Sequence, residues 1–209
     1  MRIDYISPNP DRAGCYRLKL SDDSTLRLYR QTMEDFGLYR GMELEEQQLE
    51  KLKAAAGKMS AKMRAVRIVS ASNVSCRDLQ QRLQRKGERP EDAQEAVAWM
   101  EDLHLLDDRN TAEAVVNSCI RKGYGRSRAK QVLFEKRIPR ELWDEALEDY
   151  PDQMDKIQSF LHSRLGEDAD DRDVKRAVDA LLRRGHSYSK IREALHSLSM
   201  ETDDISEDY

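Results

Sequence analysis

An internal repeat restricts the fold of this chain more than any other feature of its sequence. Three segments, which begin at residues 75, 125 and 171, align with a leucine, a basic residue and an alanine at equivalent places. The aligned sets are Leu83, Leu133 and Leu181; Lys86, Lys136 and Arg184; and Ala96, Ala146 and Ala194. Each segment follows a further amphipathic stretch, so the repeating unit comprises three helices in about 45 to 50 residues, and units of this size stack.

The repeat predicts a mainly α fold with three tandem three-helix repeats in an elongated, curved array, preceded by a small N-terminal β-hairpin segment. The predicted boundaries are 1–44 for the hairpin segment, 45–60 for a linker helix, 61–106, 107–150 and 151–199 for the repeats, and 200–209 for an acidic tail.

The first 44 residues differ from the rest because apolar and polar residues alternate there, as in half-buried strands. Two alternating stretches, CYRLKL and TLRLYR, flank the turn-forming residues 21–24, which predicts a hairpin. RIDYI, nearer the N-terminus, is a candidate third strand. From Glu43 onward the apolar period becomes helical, and Gly57 is a candidate break in that helix.

The second repeat contains the most basic stretch of the chain. Residues 107–138 predict a helix, a short glycine-bearing turn and a second helix. Asn110 is the expected cap of the first helix, with Glu113 completing a capping box. Ser127 is the expected cap of the second helix, and Ser187 of the last helix in the third repeat.

Catalytic and metal-binding patterns are not visible in the sequence. Gly123-Tyr124-Gly125 is neither G-x-G-x-x-G nor a P-loop, and we interpret it as a turn between helices. The four histidines lack H-E-x-x-H or paired Cys/His spacing, and the carboxylates form no recognisable acid/base pattern. We therefore expect a protein that is not an enzyme and has no cofactor and no metal.

The cysteines and the hydropathy indicate a cytoplasmic protein. Cys15, Cys76 and Cys119 are odd in number, far apart and without a C-x-x-C pair, which is typical of reduced thiols. No run approaches the roughly 18 apolar residues of a membrane helix, and no signal peptide is visible. We expect no membrane partner.

Basic residues concentrate in the middle helix of every repeat, although the formal net charge of the chain is −4. A charged helix face is most often merely solvated, but three equivalent helices also fit a cationic track for phosphates or an acidic protein groove. Side chains that recognise base edges, such as Asn and Gln, and aromatic side chains that stack on bases are sparse in these helices. This disfavours sequence-specific binding to an operator and binding of single strands by base stacking. The candidate contact residues are Arg82, Arg85, Lys86, Arg121, Lys122, Arg126, Arg128, Lys130, Lys136, Arg137, Lys175, Arg176, Arg183 and Arg184.

Several segments together resemble a known family. They are AVRIVS at 65–70, SCRDLQQRLQRKG at 75–87, LLDDRNTA at 105–112 and RKGYGRSRAKQVL at 121–133. In this order and spacing they resemble the RecX family, regulators of the RecA recombinase, over about residues 61–198. Two positions depart from the family pattern: Arg137 stands where a glycine is usual, and Ala129 where a leucine is common.

The resemblance implies a non-enzymatic modulator that lies in the groove of the RecA–single-stranded-DNA filament. There it would lower ATP hydrolysis, strand exchange and co-protease function, and so take part in regulating DNA repair and the SOS response. The RecA filament is the implied partner, with single- or double-stranded DNA backbone as a further candidate, and we expect a monomer. The alternative is a nucleic-acid-binding helical-repeat protein that acts alone through the same basic track. The matching contact positions are chiefly Arg121, Lys122, Arg126, Arg128 and Lys130.

Overall fold

In the computed structural model, which describes residues 1–166 and 169–206, the chain is mainly helical with a small N-terminal sheet, as predicted. The strands are β1 (Ile3–Ile6), β2 (Cys15–Leu20) and β3 (Thr25–Tyr29). The helices are α1 (Arg30–Asp35), α2 (Glu46–Ala71), α3 (Cys76–Arg85), α4 (Pro90–Asp102), α5 (Asp108–Arg121), α6 (Arg126–Glu135), α7 (Trp143–Ala146), α8 (Met154–Arg164), α9 (Asp171–Arg183) and α10 (Tyr188–Ser206). A 3-10 turn, Arg140–Leu142, leads into α7.

The chain divides into two compact units, Met1–Asp107 and Asp108–Tyr209. The first contains the sheet and α1 to α4, and the second contains α5 to α10. The predicted acidic tail, 200–209, lies outside the described side chains, and residues 207–209 also lie outside the described backbone.

The N-terminal segment is a three-stranded antiparallel sheet in the order β1-β2-β3. The predicted hairpin forms β2 and β3, with Tyr16 opposite Leu28. Asp22 stabilises the connecting turn because its carboxylate accepts a hydrogen bond from the Ser24 N–H at 3.0 Å. Strand β1 adds to the hairpin because the fully buried Ile3 joins the same apolar cluster as the inward leucines of β2 and β3.

Helix α2 runs without interruption through Gly57, so the expected break at this residue is wrong. The glycine instead makes room for α4. A Cβ on Gly57 would lie 2.7 Å from Oδ2 of Asp92, whose buried carboxylate accepts hydrogen bonds from Arg89 at 2.9 and 3.1 Å. The missing side chain thus allows close approach of two helices.

The middle helix of each set of three, α3, α6 and α9, ends in the same Schellman motif. The residues in the left-handed conformation are Gly87, Arg137 and Gly185, with φ of 89°, 57° and 84°. The next backbone N–H donates to the carbonyl of the aligned leucine: Glu88 to Leu83 at 3.1 Å, Ile138 to Leu133 at 3.1 Å and His186 to Leu181 at 3.2 Å. All three leucines are fully buried, so the aligned leucine belongs both to the apolar core and to the helix end.

Arg137, which stands where the family usually has glycine, forms the same turn as Gly87 and Gly185, but the left-handed conformation is unfavourable for a residue with a Cβ. Replacing Arg137 with glycine is therefore expected to stabilise the second unit by about 0.5–1 kcal/mol. Urea unfolding monitored by circular dichroism measures this difference. Lys136→Gly is the matched control, because Lys136 is right-handed helical and glycine there should destabilise. Arg137→Ala removes the same side-chain interactions but keeps the Cβ, so alanine and glycine variants of equal stability would show that the turn carries no such strain.

Two of the three predicted helix caps are wrong. Helix α5 begins at Asp108, so Asn110 lies within its first turn. Helix α6 begins at Arg126 with Gly125 at the N-cap, earlier than a Ser127 cap allows, because a tertiary contact fixes Gly125. Ser187 does cap α10: its Oγ accepts from the Lys190 N–H at 3.4 Å.

Candidate functional site

The turn between α5 and α6 packs directly against the turn between α9 and α10. Gly123 is left-handed, with φ of 65°, and closes α5. Gly125 donates its N–H to the carbonyl of Arg184 at 2.8 Å, and a Cβ on Gly125 would overlap the carbonyl group of Gly185. The interpretation of 123–125 as a turn is confirmed, and its second glycine is required by the close approach of two backbones.

One buried and one half-buried side chain fix this joint between the turns. His186 is 6% exposed, and its Nε2 lies 3.0 Å from the carbonyl oxygen of Gly123. The hydroxyl of Tyr150 donates to the carbonyl of Tyr124 at 2.5 Å. Burial raises the pKa of Tyr150 to about 12, so this hydroxyl remains a hydrogen-bond donor across the neutral pH range.

The joint is expected to weaken in acid because His186 is held neutral in the fold. Burial is the main cause that lowers the pKa of His186 from its usual value of 6.5, and Arg184 and Lys190 lower it further. The Gly123 carbonyl and Asp152 act in the opposite direction. Since the unfolded chain binds this proton more readily, the contribution of His186 is complete above pH 6.5 and is lost as the pH falls from 6.5 through the folded pKa.

Thermal melts of the wild type and of His186→Gln at about pH 7.5 and about pH 5 measure this contribution. The wild type should lose more stability in acid than the variant, whose amide does not titrate in this range. Equal losses would show that another group causes the acid sensitivity.

The cations around this turn divide into exposed and paired side chains. Four are at least partly exposed and form no ion pair within the described part of the chain: Arg121, Lys122, Arg126 and Lys130, here called the α5–α6 ridge. Arg128 is only 29% exposed and pairs with Glu135 at 3.1 Å, so its charge is partly neutralised inside the fold. Lys136 and Arg137, farther along, are half-buried.

The remaining predicted contact residues lie elsewhere. Arg82, Arg85 and Lys86 belong to the first unit, where Arg82 pairs with Asp78 at 2.9 Å while Arg85 and Lys86 are exposed. Within the first unit, the structure thus leaves Arg85 and Lys86 exposed and pairs Arg82 with a carboxylate.

The third set of helices forms an arginine-lined cleft that the sequence pattern did not reveal. Lys175, Arg176, Arg183 and Arg184 are exposed, as expected of contact residues. Between α8 and α9 lies a cavity of ≈ 400 Å³, here called the α8–α9 cleft. It is lined by Phe160, Arg164, Asp173, Arg176, Ala177, Ala180 and Arg183.

Arg164 and Phe160 are the residues that the sequence reasoning missed. The guanidinium of Arg184 lies 4.7 Å from the Phe160 ring centroid, and that of Arg164 lies 5.7 Å away, both within cation–π range. The signal available in the sequence was an aromatic residue and an arginine one helical turn apart, which does not by itself predict a cleft.

The described residues contain no group of three or more histidine, cysteine or acidic side chains placed to hold a metal ion. Among the helices that the structure describes, none is long and apolar enough to cross a membrane. Cys15, Cys76 and Cys119 form no disulfide with one another, and burial raises the pKa of Cys119, which makes this thiol a poor nucleophile.

Comparison with known proteins identifies relatives along most of the chain. The family model described as RecX, second three-helix domain, matches residues 107–147. The regulatory protein RecX of Chlorobaculum tepidum is 30% identical over 141 residues, which cover 66% of this chain and 88% of the relative. The regulatory protein RecX of Vibrio parahaemolyticus is 26% identical over 155 residues, which cover 73% of this chain and 98% of the relative.

Solved structures agree with these sequence matches. The crystal structure of a regulatory protein RecX has a TM-score of 0.63 at 21% identity and covers 92% of this chain and 98% of that one. RecX from Lactobacillus salivarius has a TM-score of 0.60 at 22% identity and covers 70% of this chain and 99% of that one. At these identities the structural matches establish the fold, and the sequence relatives establish the family. The chain belongs to the RecX family of regulatory proteins.

Proposed function

We propose that this protein binds the RecA–single-stranded-DNA filament and lowers its ATP hydrolysis, strand exchange and co-protease activity. Membership of a family of regulatory proteins supports a regulatory role. The observation that carries the proposal is the α5–α6 ridge: four cations at the surface without ion pairs in the described chain, on helices held by a buried joint. A filament of protein and DNA presents the phosphates and carboxylates that such cations bind.

The joint suits the ridge to binding because it limits how far the cations can move. Arg126 follows Gly125 directly, and the backbone of Gly125 is bonded to that of Arg184. The first turn of α6 is therefore positioned by backbone contacts with the end of α9 and not by a flexible loop. Preorganisation of this kind lowers the entropy lost on binding.

The second candidate function is that of a protein that binds nucleic acid without a recombinase. The α8–α9 cleft favours this candidate because the guanidinium groups of its arginines suit phosphates. The two functions differ in what binding requires. A protein that binds DNA by itself loses orders of magnitude in affinity between low and physiological salt, with or without recombinase. A filament regulator acts only where the filament is present.

The deciding experiment measures single-stranded-DNA-dependent ATP hydrolysis by the cognate recombinase while this protein is titrated in. We expect hydrolysis to fall at well below one copy per recombinase monomer, because a protein that caps or destabilises a filament affects many subunits at once. Unchanged hydrolysis, with the protein still binding free DNA, would establish the second candidate. In a second series the protein is added to filaments that have already formed. A fall in hydrolysis there indicates disassembly, whereas a fall only when the protein is present from the start indicates blocked filament growth.

A further inference from the structure

A pocket of ≈ 280 Å³, here called the joint pocket, lies where the α5–α6 turn meets the α9–α10 turn. Its described lining combines cations, hydroxyl groups and an amide, and it contains no carboxylate. The side chains that can donate hydrogen bonds into it are Arg126, Ser127, Tyr150, Gln153, Ser187 and Lys190. A lining of this kind can receive a negative charge without repulsion from a carboxylate in the same pocket.

Two helices begin at the joint pocket. Helix α6 begins at Arg126, and α10 begins at Tyr188, directly after the lining residue Ser187. Gly125 provides no side chain to cap α6, and the backbone N–H groups of Arg126 and Ser127 donate to no acceptor among the described residues. The start of a helix carries unpaired N–H groups and the positive end of the helix dipole, so both helices favour negative charge here.

The side chain of Gln153 points independently to a ligand. Gln153 is only 8% exposed, and its amide forms no hydrogen bond within the part of the chain that the structure describes. No fully buried polar side-chain atom among the described residues lacks a partner, so this amide is not enclosed in the core and opens onto the pocket that it lines. A largely buried amide without a partner is costly, and a ligand that accepts its N–H groups would remove this cost.

The positive charge of the joint pocket comes from two helices. Arg126 is exposed and forms no ion pair in the described chain. Lys190 pairs with Asp152 at 2.7 Å, but an ammonium group has several N–H donors, so some remain for another acceptor. His186, which also lines the pocket, stays neutral at physiological pH because burial lowers its pKa. Arg126 and Lys190 therefore set the charge that a ligand meets.

We propose that the joint pocket binds a small oxyanion of the phosphate class. Such an anion carries up to about two negative charges and several acceptor oxygens, which match the two cations, the N–H groups of α6, the serine hydroxyls and the amide. A carboxylate has one charge and two oxygens, so it would leave part of these donors unpaired. The volume of ≈ 280 Å³ lies below the roughly 300–1,000 Å³ of sites for drug-sized ligands, which indicates a small ligand. The inference goes beyond the proposed function and does not rest on it, because the anion requires neither recombinase nor nucleic acid.

A bound oxyanion bridges the two turns of the joint and therefore stabilises the second unit, as any ligand of the folded state does. Scanning calorimetry of the full-length chain measures this effect at about pH 8, where phosphate is a dianion, while phosphate replaces chloride at constant ionic strength. We expect the melting temperature to rise with the logarithm of the phosphate concentration, and acetate to cause no comparable rise. Isothermal titration calorimetry with inorganic phosphate gives the affinity.

Arg126→Gln is expected to weaken phosphate binding about tenfold, because a charge-assisted hydrogen bond to the anion is lost. The matched control is Arg192→Gln. Arg192 is also exposed and lies on α10, two residues after Lys190, but it does not line the pocket. Its replacement removes the same charge and should change the phosphate affinity by less than about twofold.

Gln153→Glu is the second variant, because it places a carboxylate of similar size where the anion is expected. Without phosphate, this chain should be at least as stable as the wild type, since the donors of the pocket stabilise the carboxylate. Its melting temperature should no longer respond to phosphate. A destabilised Gln153→Glu chain would overturn the inference, because it would show that the pocket does not favour negative charge.

Three further outcomes overturn the inference: an Arg126→Gln chain that binds phosphate like the wild type, a control that loses as much affinity, or displacement of phosphate by an unphosphorylated oligothymidylate. The last would assign the pocket to the backbone of a strand and not to a small anion. Titration with a nucleoside diphosphate distinguishes the source of the phosphate group. Tighter binding than that of inorganic phosphate indicates a nucleotide, equal or weaker binding indicates the free anion, and either result supports the site.

Discussion

Replacing Gly125 with alanine is expected to lower the free energy of unfolding of the second unit by about 3 kcal/mol or more. The new Cβ would overlap the carbonyl group of Gly185, and a main-chain group cannot rotate away as a side chain can. Relief requires the two turns to separate, which breaks the Gly125–Arg184 hydrogen bond and the contact between His186 and Gly123. The loss is large beside the roughly 5–15 kcal/mol that stabilises a typical domain.

Each unit contains one tryptophan, so the effect can be assigned to the correct unit. Trp143 packs in the apolar cluster of α5 to α7, and Trp99 packs in a cluster of the first unit. In a Trp99→Phe background, urea unfolding followed by fluorescence reports on the second unit of the full chain. Gly166→Ala is the control, because a Cβ there meets no atom within 4 Å and should change stability by less than about 0.5 kcal/mol. A similar small effect at Gly125 would mean that the two turns do not touch.

The repeat in the sequence predicted the helices well because its signals are local. Leucine spacing marks buried faces, and Gly87 and Gly185, shortly after aligned leucines, are of the residue type that commonly ends a helix. Pro90 begins α4 at the position where its missing N–H is harmless. Such signals depend on neighbours within about one helical turn, and a single sequence displays them.

What the sequence did not show depends on residues that are distant along the chain. A glycine within a helical pattern suggests a break, yet Gly57 lies inside α2 and faces Asp92 of another helix. Gly125 is an N-cap because it packs on Gly185, which lies in a different turn far along the chain. Arg128 stands among several other basic residues in the sequence and suggests an unpaired cation there, yet it forms an ion pair with Glu135. The candidate contact surface is therefore smaller than the sequence suggested. It contains only those basic side chains of the middle helices that do not already pair with a carboxylate inside the fold.

Reversing the charge of Arg126 and Lys130 together is expected to raise at least tenfold the concentration of this protein that halves recombinase ATP hydrolysis. A tenfold change corresponds to about 1.4 kcal/mol of binding free energy. Two charge reversals can exceed this value because each replaces an attraction to the filament with a repulsion. Both residues are exposed and without ion pairs in the described chain, so their replacement by glutamate removes no ion pair that the fold uses. Arg128 is left unchanged because reversing it would place two carboxylates together at Glu135.

The control reverses Arg12 and Lys51, which are also exposed and unpaired within the described residues but lie in the first unit. It changes the net charge of the chain by the same amount, so any effect of overall charge on association appears in both variants. If only the ridge variant loses inhibition, and the loss grows as salt is lowered, the cations of α6 contact the filament directly. If the two variants behave alike, the ridge is a solvated face and the regulatory contact lies on another surface.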